Sequence, residues 1–172
     1  MTIREFTVYT LEITEPGNLQ SPLSAPESVI IERLTRPDYR INRSFYLKIG
    51  RDWDWIDRKF WTDKQWREYA DRPEMETWIV YYQNDPAGYI ECIYESGQTV
   101  QIAYLGLLPQ YTGRGIGSYM TKYAIRQAFS AGTEKVWLST CSLDHPAALK
   151  AYLKCGFKIV KEETVRKDFP AI

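Results

Sequence analysis

A chain of 172 residues is long enough to bury a core without metal or disulfide staples and short enough to form a single domain. Its 22 basic and 22 acidic residues cancel, and the basic ones are scattered, which argues against nucleic acid or an anionic membrane as partner. Three cysteines (Cys92, Cys141, Cys155) without a CxxC pair exclude a disulfide framework and read as small buried hydrophobes in a reducing compartment.

In chain order, the opening MTIREFTVYT carries no signal-peptide core, and no apolar run approaches the ~20 residues of a membrane span, so a cytoplasmic location is expected. Residues 3–13 mix β-branched and aromatic residues with polar ones and predict a strand. Residues 14–26 are rich in turn formers and predict a loop; residues 28–34 (SVIIERL) predict a second strand. Pro37 is placed to open a helix in which Ile41, Phe45 and Ile49 share one face before Gly50 ends it.

The stretch that follows, residues 51–73, holds four of the six tryptophans. Thr62 is its candidate N-cap, for a helix over residues 63–69 that Pro73 stops. Trp53, Trp55, Trp61 and Trp66 can be read as a packing layer over a sheet, the commoner use of such residues. They can also be read as an aromatic wall where a cationic acceptor gains cation–π attraction, helped by the acids between Asp54 and Asp63.

Residues 77–83, 88–94 and 98–108 predict three strands joined by short turns, hence an antiparallel meander. The last of them runs into Gly113, Gly115 and Gly117, with Arg114 between the first two. A helix follows in which Ile116, Tyr119, Met120, Tyr123, Ala124, Ala128 and Phe129 fall at three-four spacing, with Gly132 as its stop. Bare backbone at a helix N-terminus beside an arginine makes a site for a phosphate group.

Residues 135–140 predict a buried strand that can lie parallel to the strand before the glycine turn, through a βαβ crossover. Asp144, His145 and Pro146 open a helix through Lys154, Gly156 caps it, and residues 157–160 make the final strand. The fold class expected is α/β (α+β): one domain over residues 1–172, with a mixed, mostly antiparallel sheet of about six to seven strands flanked by helices.

Three phosphate-loop chemistries compete for the glycine turn. A P-loop needs Lys-Ser/Thr after its last glycine, and this chain has Ser118-Tyr119. A GxGxxG dinucleotide fingerprint fails at Ser118 when counted from Gly113 and at Met120 when counted from Gly115, and it belongs in a βαβ unit rather than after a meander. The remaining option is a glycine turn without a ligand.

The surrounding residues decide against that option. Leu107-Leu108-Pro109-Gln110-Tyr111-Thr112-Gly113-Arg114-Gly115-Ile116-Gly117, then a strand, then His145-Pro-Ala-Ala148-Leu-Lys-Ala151-Tyr152-Leu-Lys-Cys-Gly156-Phe157 resembles the GNAT superfamily of acetyl-CoA-dependent N-acetyltransferases. Two motifs occur in the family's order with a strand between them. The likeness is strong over residues 77–160 and rests on element order before that. GLLP followed by TCSLDHPAAL resembles a largely uncharacterised bacterial subgroup, which gives no substrate. Three departures stand out: Thr112 replaces the usual Gln or Arg, His145 the usual Asn, and Ala151 the usual Leu.

The resemblance implies an acetyl-CoA-binding core over about residues 77–160 and an acceptor-side part over about residues 1–76. The backbone N–H groups of Gly113, Arg114, Gly115, Ile116, Gly117 and Ser118 would hold the CoA pyrophosphate, with Arg114 adding charge and Thr112 beside them. The strand backbone at Leu105, Gly106 and Leu107 would pair with the pantetheine arm, and the Leu107 N–H would face the thioester oxygen. Tyr152 is the implied general acid for the departing thiolate. Its alternative is helix-face packing. His145 stands where the family's Asn contacts CoA; otherwise it is a residue at the start of a helix beside an Asp144 cap.

An alkylamine also needs a base, since a pKa near ~10 leaves little neutral amine at pH 7. Glu91 is the first candidate, alone or through a water. Alternation sets it opposite Ile90 and Cys92, on a face that must be wet or functional, or else it is a solvated strand carboxylate. Tyr104 and Glu95 are further candidates, and Trp53, Trp55 and Tyr104 are candidate acceptor contacts. No His/Cys/Asp cluster has metal-ligand spacing, so acetyl-CoA as co-substrate is the implied cofactor and no metal is expected. No nucleophilic Cys or Ser-His pair suggests a covalent intermediate.

The activity implied is direct acetyl transfer to an amine of a small molecule or peptide, and a homodimer is a further expectation. The alternatives are a non-catalytic acyl-CoA sensor and an interaction module built on the aromatic N-terminal half.

Overall fold

The computed structural model describes residues 2–20 and 23–169; Ser21 and Pro22, inside the predicted loop, fall outside that range. Seven strands and four helices follow one another along the chain: β1 (Thr2–Ile13), β2 (Val29–Arg33), α1 (Tyr39–Gly50), α2 (Asp63–Ala70), β3 (Met75–Tyr82), β4 (Asp85–Glu95), β5 (Thr99–Leu107), α3 (Ile116–Ser130), β6 (Lys135–Cys141), α4 (Ala148–Lys154) and β7 (Lys158–Phe169). They form one seven-stranded sheet in the order β2-β3-β4-β5-β6-β1-β7. β5 and β6 run parallel, and every other neighbouring pair is antiparallel. Among the described residues no helix is long and apolar enough to cross a membrane.

Local signals place the helix ends with two corrections. Thr62 and Gln65 form a capping box, each side chain bonding the other's backbone N–H, so α2 starts where an S/T-x-x-E/Q pattern puts it. In α1, by contrast, Pro37 stays outside the helix, because Asp38 takes the N-cap and accepts from the Arg40 N–H. α4 begins at Ala148 rather than at Asp144. The Asp144 carboxylate turns back instead to the Cys141 N–H and the Thr140 hydroxyl, at 3.0 and 2.8 Å, and closes the turn after β6.

The meander β3-β4-β5 is as expected, and its alternation sorts the two faces of the sheet. Val80, Ile90, Cys92, Val100 and Ile102 pack under α3, against Ile116, Met120, Ala124, Ile125 and Ala128. Ile79 and Tyr89 pack on the opposite face under Phe45 and Ile49 of α1. Burial of Cys92 in the first of these layers pushes its thiol up to about 12.

The first strand departs from an order-based layout. β1 lies between β6 and β7. Its Val8 to Ile13 segment pairs with Cys141 to Val136, and its other edge pairs with β7 from Thr2↔Phe169 to Glu12↔Lys158. Leu11 is fully buried there. β7 runs to Phe169, well past the four residues predicted, because β1 supplies a partner for its whole length. Before Val8, Thr2 to Thr7 pair with β7 alone and form a two-stranded arm.

Candidate functional site

β5 and β6 pair over Thr99 to Gln101 of β5 and then part. The Leu108 N–H bonds the Ala87 carbonyl at 2.8 Å, so Leu108 and Ala87 are a hydrogen-bonded pair of the antiparallel ladder. Bonded and non-bonded pairs alternate in such a ladder. Leu107 opposite Gly88, and Leu105 opposite Ile90, therefore turn their backbone N–H and C=O away from β4, into the gap. The gap opens into a cavity of about 530 Å³, within the range of small-molecule sites.

Most of the expected contacts line it: Leu105, Gly106, Leu107, Thr112, Gly117, Ser118, His145 and Tyr152, with Trp53, Trp55 and Tyr104 at the far side. Gly113, Arg114, Gly115 and Ile116 do not form its wall. Ile116 is buried in the core. Gly113 and Gly115 have φ of 77° and 76°, the left-handed region that favours glycine, and Gly115 is the N-cap of α3. Arg114 stacks over the Tyr82 ring with its guanidinium 5.1 Å from the centroid, and its Nη1 donates to the Tyr82 hydroxyl. The Thr112 hydroxyl donates to the Pro109 carbonyl at 2.8 Å, so this side chain braces the turn. What remains at the head of α3 is backbone, with a positive dipole end.

Tyr152 of α4 reaches the cavity half-buried, its ring edge-on to Phe157. Burial first, and then the Asp144 charge, raise its pKa above the ordinary 10, so the phenol is held protonated. His145 sits on the rim, with Nδ1 accepting from the Ala147 N–H at 3.0 Å and its ring against Trp53. Cys141, on the same wall, is held as a thiol chiefly by burial.

The four tryptophans divide between the two expected roles. Trp66 is buried against Tyr46, and Trp61 packs on it. Trp53 and Trp55 reach the cavity. Trp55 fits because Gly50 has no side chain: a Cβ there would lie 2.5 Å from that of Trp55. Its Nε1 donates to Asp144 at 3.0 Å and ties the segment after α1 to the turn after β6. Trp55→Phe removes that donor, and we expect it to lower stability by about 1–2 kcal/mol in chemical denaturation.

Glu91 is not on a wet face. It is fully buried, and it lies outside the cavity wall. Its carboxylate accepts from Asn42 at 2.8 Å, Tyr69 at 2.6 Å and Arg58 at 3.3 Å. Fully buried behind Arg58, the carboxylate anchors that arginine and makes no direct contact with the cavity, so the wet face expected for it is corrected to a covered one. The cause is α1 and α2, which cover this face of β4. Arg58 itself lies between the Tyr69 and Tyr104 rings, at 3.8 and 4.3 Å, with Trp61 at 4.9 Å. Burial alone would lower its pKa, and the neighbouring Glu91 turns the net shift upward. Sequence patterns did not single out Arg58. Its only local mark is a basic residue set in an aromatic run, and its partner is 33 positions away.

The two-stranded arm closes the far side. Phe6 and Val8 of β1 and Lys167 and Phe169 of β7 line the cavity. Arg4 pairs with Asp54 at 2.8 Å and Lys167 pairs with Asp57, so the segment after α1 is held from across the opening.

Comparison with known proteins agrees with this fold. The model of the acetyltransferase (GNAT) family matches residues 32–157. The structure of a GCN5-related N-acetyltransferase from Sphaerobacter thermophilus superposes with a TM-score of 0.73 at 15% identity, covering 94% of this chain and 50% of that one. One from Kribbella flavida gives 0.62 at 19% identity, with 96% and 58% covered. An aminoglycoside acetyltransferase from an uncultured soil metagenomic sample, in complex with trehalose, gives 0.62 at 15% identity, with 84% and 97% covered. The chain thus spans half of the Sphaerobacter protein and 58% of the Kribbella one. No curated protein sequence matches it.

Proposed function

The chain belongs to the GNAT family of acetyltransferases, and from that premise we propose that it moves an acetyl group from acetyl-CoA to a primary amine of a small molecule or peptide, by direct attack in a ternary complex. The observation that carries this is the parted edge of β5: the Leu105 and Leu107 backbone faces a gap that ends at the N-terminus of α3. Unpaired strand backbone can receive an extended amide-bearing arm as an added strand, and the N–H groups at Gly113 to Ser118 suit a pyrophosphate.

Acetyl-CoA, when bound, supplies the acetyl group as a thioester open to an amine. The Leu107 N–H is turned toward the side where the thioester oxygen would lie, and a pre-aimed donor of this kind is typically worth ~3–4 kcal/mol. Tyr152, kept as the phenol, is the proton source for the leaving sulfur. The proton shed by the amine leaves to water, since Glu91 does not line the cavity. Cys141, kept as the thiol, is no nucleophile, consistent with direct transfer.

Titration calorimetry and thermal unfolding with CoA test the cofactor half of this function. Saturating CoA is expected to raise the melting temperature by several degrees, because ligand bound at 100 times its Kd adds about 2.7 kcal/mol. Gly115→Glu forces a side chain into left-handed backbone and sets a carboxylate at the phosphate site. We expect it to weaken CoA at least about tenfold. A wild-type protein that neither binds CoA nor is protected by it ends the proposal.

A further inference from the structure

The charges around the acceptor end of the cavity have traceable partners. Asp54 and Asp57 are each met by a cation from the terminal strands, Arg4 and Lys167. Asp144 takes Trp55, Thr140 and the Cys141 backbone. Among the described residues, two of the three carboxylates on this wall, Asp54 and Asp57, already carry a chain cation each, and the third, Asp144, is taken by three neutral donors.

Arg58 differs from these groups. Its side chain is 12% exposed, it lines the cavity, and its guanidinium carbon lies over the Tyr69 and Tyr104 rings. A guanidinium presents five N–H donors in a rigid fork, and Glu91 takes one of them. An arginine already fixed in place gives up little side-chain entropy when it grips a ligand, and its fork matches a carboxylate. One face of Tyr104, a candidate acceptor contact, is thereby taken by the chain's own cation. The same cavity carries an apolar set of Phe6, Val8, Trp55, Ile56 and Phe169.

We propose that the acceptor is an amine that also bears a carboxylate on an apolar body, and that Arg58 receives that carboxylate. This rests on the transferase function proposed above and specifies its substrate class. An amino acid with an aromatic or branched apolar side chain has the required groups. A polyamine or an aminoglycoside does not.

The test is a panel of apolar amino acids, each offered as free acid, as amide and as decarboxylated amine, with spermidine beside them. Thiol release with acetyl-CoA gives kcat/KM, and calorimetry on the CoA complex gives affinity for compounds that are not turned over. For at least one side chain the free acid is expected to exceed its amide and its amine tenfold or more. Arg58→Lys keeps the charge but loses the fork, and is expected to narrow that ratio. Arg58→Gln is expected to bring it near one, with the CoA-dependent rise in melting temperature reporting that the variants are folded.

A ratio near one across the panel, a preference for spermidine, or an undiminished ratio in Arg58→Gln overturns the proposal. Thiol release without acid preference removes Arg58's role and leaves acetyl transfer standing. Acid-selective binding without thiol release keeps the Arg58 site and removes the transfer. Absence of CoA binding and of acid-selective binding removes both.

Discussion

Glu91→Leu is expected to lower stability by about 3–5 kcal/mol, the usual consequence of removing one partner from a buried ion pair. In a chain of this size that is a fall in melting temperature of about 10 °C. The carboxylate is fully buried and satisfies Asn42, Tyr69 and Arg58 at once. Leucine fills comparable volume but strands two neutral donors and leaves the Arg58 charge without a counterion. Arg58→Met alone is expected to be costly for the mirror reason.

The double variant Glu91→Leu/Arg58→Met should lose much less than the sum, because it leaves no charge unpaired. Thermal unfolding of the four proteins gives the coupling. Additive losses would mean that the pair does not hold α1 and α2 to the sheet. The buried carboxylate therefore serves the site at one remove: it fixes Arg58, and Arg58 shapes the wall.

Tyr152→Phe is expected to lower kcat by about a hundredfold while leaving CoA affinity within a few-fold. The substitution keeps the ring that packs edge-on to Phe157 and removes only the hydroxyl. Its pH signature follows from the direction of the shift. Burial and the Asp144 charge both disfavour the phenolate, so the pKa lies above the ordinary 10 and the acid stays protonated at every pH below that. Wild-type kcat should then show no alkaline fall below pH 10, while kcat/KM climbs with pH as the amine loses its proton. Unchanged kcat in Tyr152→Phe would place the acid elsewhere, and a fall in kcat near pH 8 would contradict a raised phenol.

What could be read from the residues in order was what they specify within a few positions of themselves. Thr62 with Gln65, the left-handed Gly115 ahead of α3, and the short turns of the β3-β4-β5 meander are all local patterns. The role of the Leu105–Leu107 backbone as a partner for the pantetheine arm is legible only through family likeness. Three features required distant partners. β7 looks like a four-residue strand followed by a charged tail, and becomes twelve residues because β1, 146 to 167 positions earlier, pairs along it. The Arg58–Glu91 pair joins a loop to a strand interior, and alternation alone fixed the face of Glu91 without revealing what covers it. Asp144 reads as a helix cap, but its carboxylate bonds backwards to Cys141 and Thr140, with Trp55 docking on it from another part of the chain. The cofactor side of the site is thus mostly local sequence, and the acceptor side is mostly tertiary.

The central claim is that the gap between β5 and β6 passes an acetyl group directly to an amine. Acetyl-CoA labelled in its acetyl group, incubated with the purified protein and the amino-acid panel, tests it by mass spectrometry of both amines and protein. The predicted result is label in an amide of one or more of the apolar amino acids, CoA thiol released in equal amount, no label retained on the protein, and all of it suppressed in Tyr152→Phe. A protein that binds CoA yet leaves every amine unlabelled, or that carries the label covalently, would contradict it.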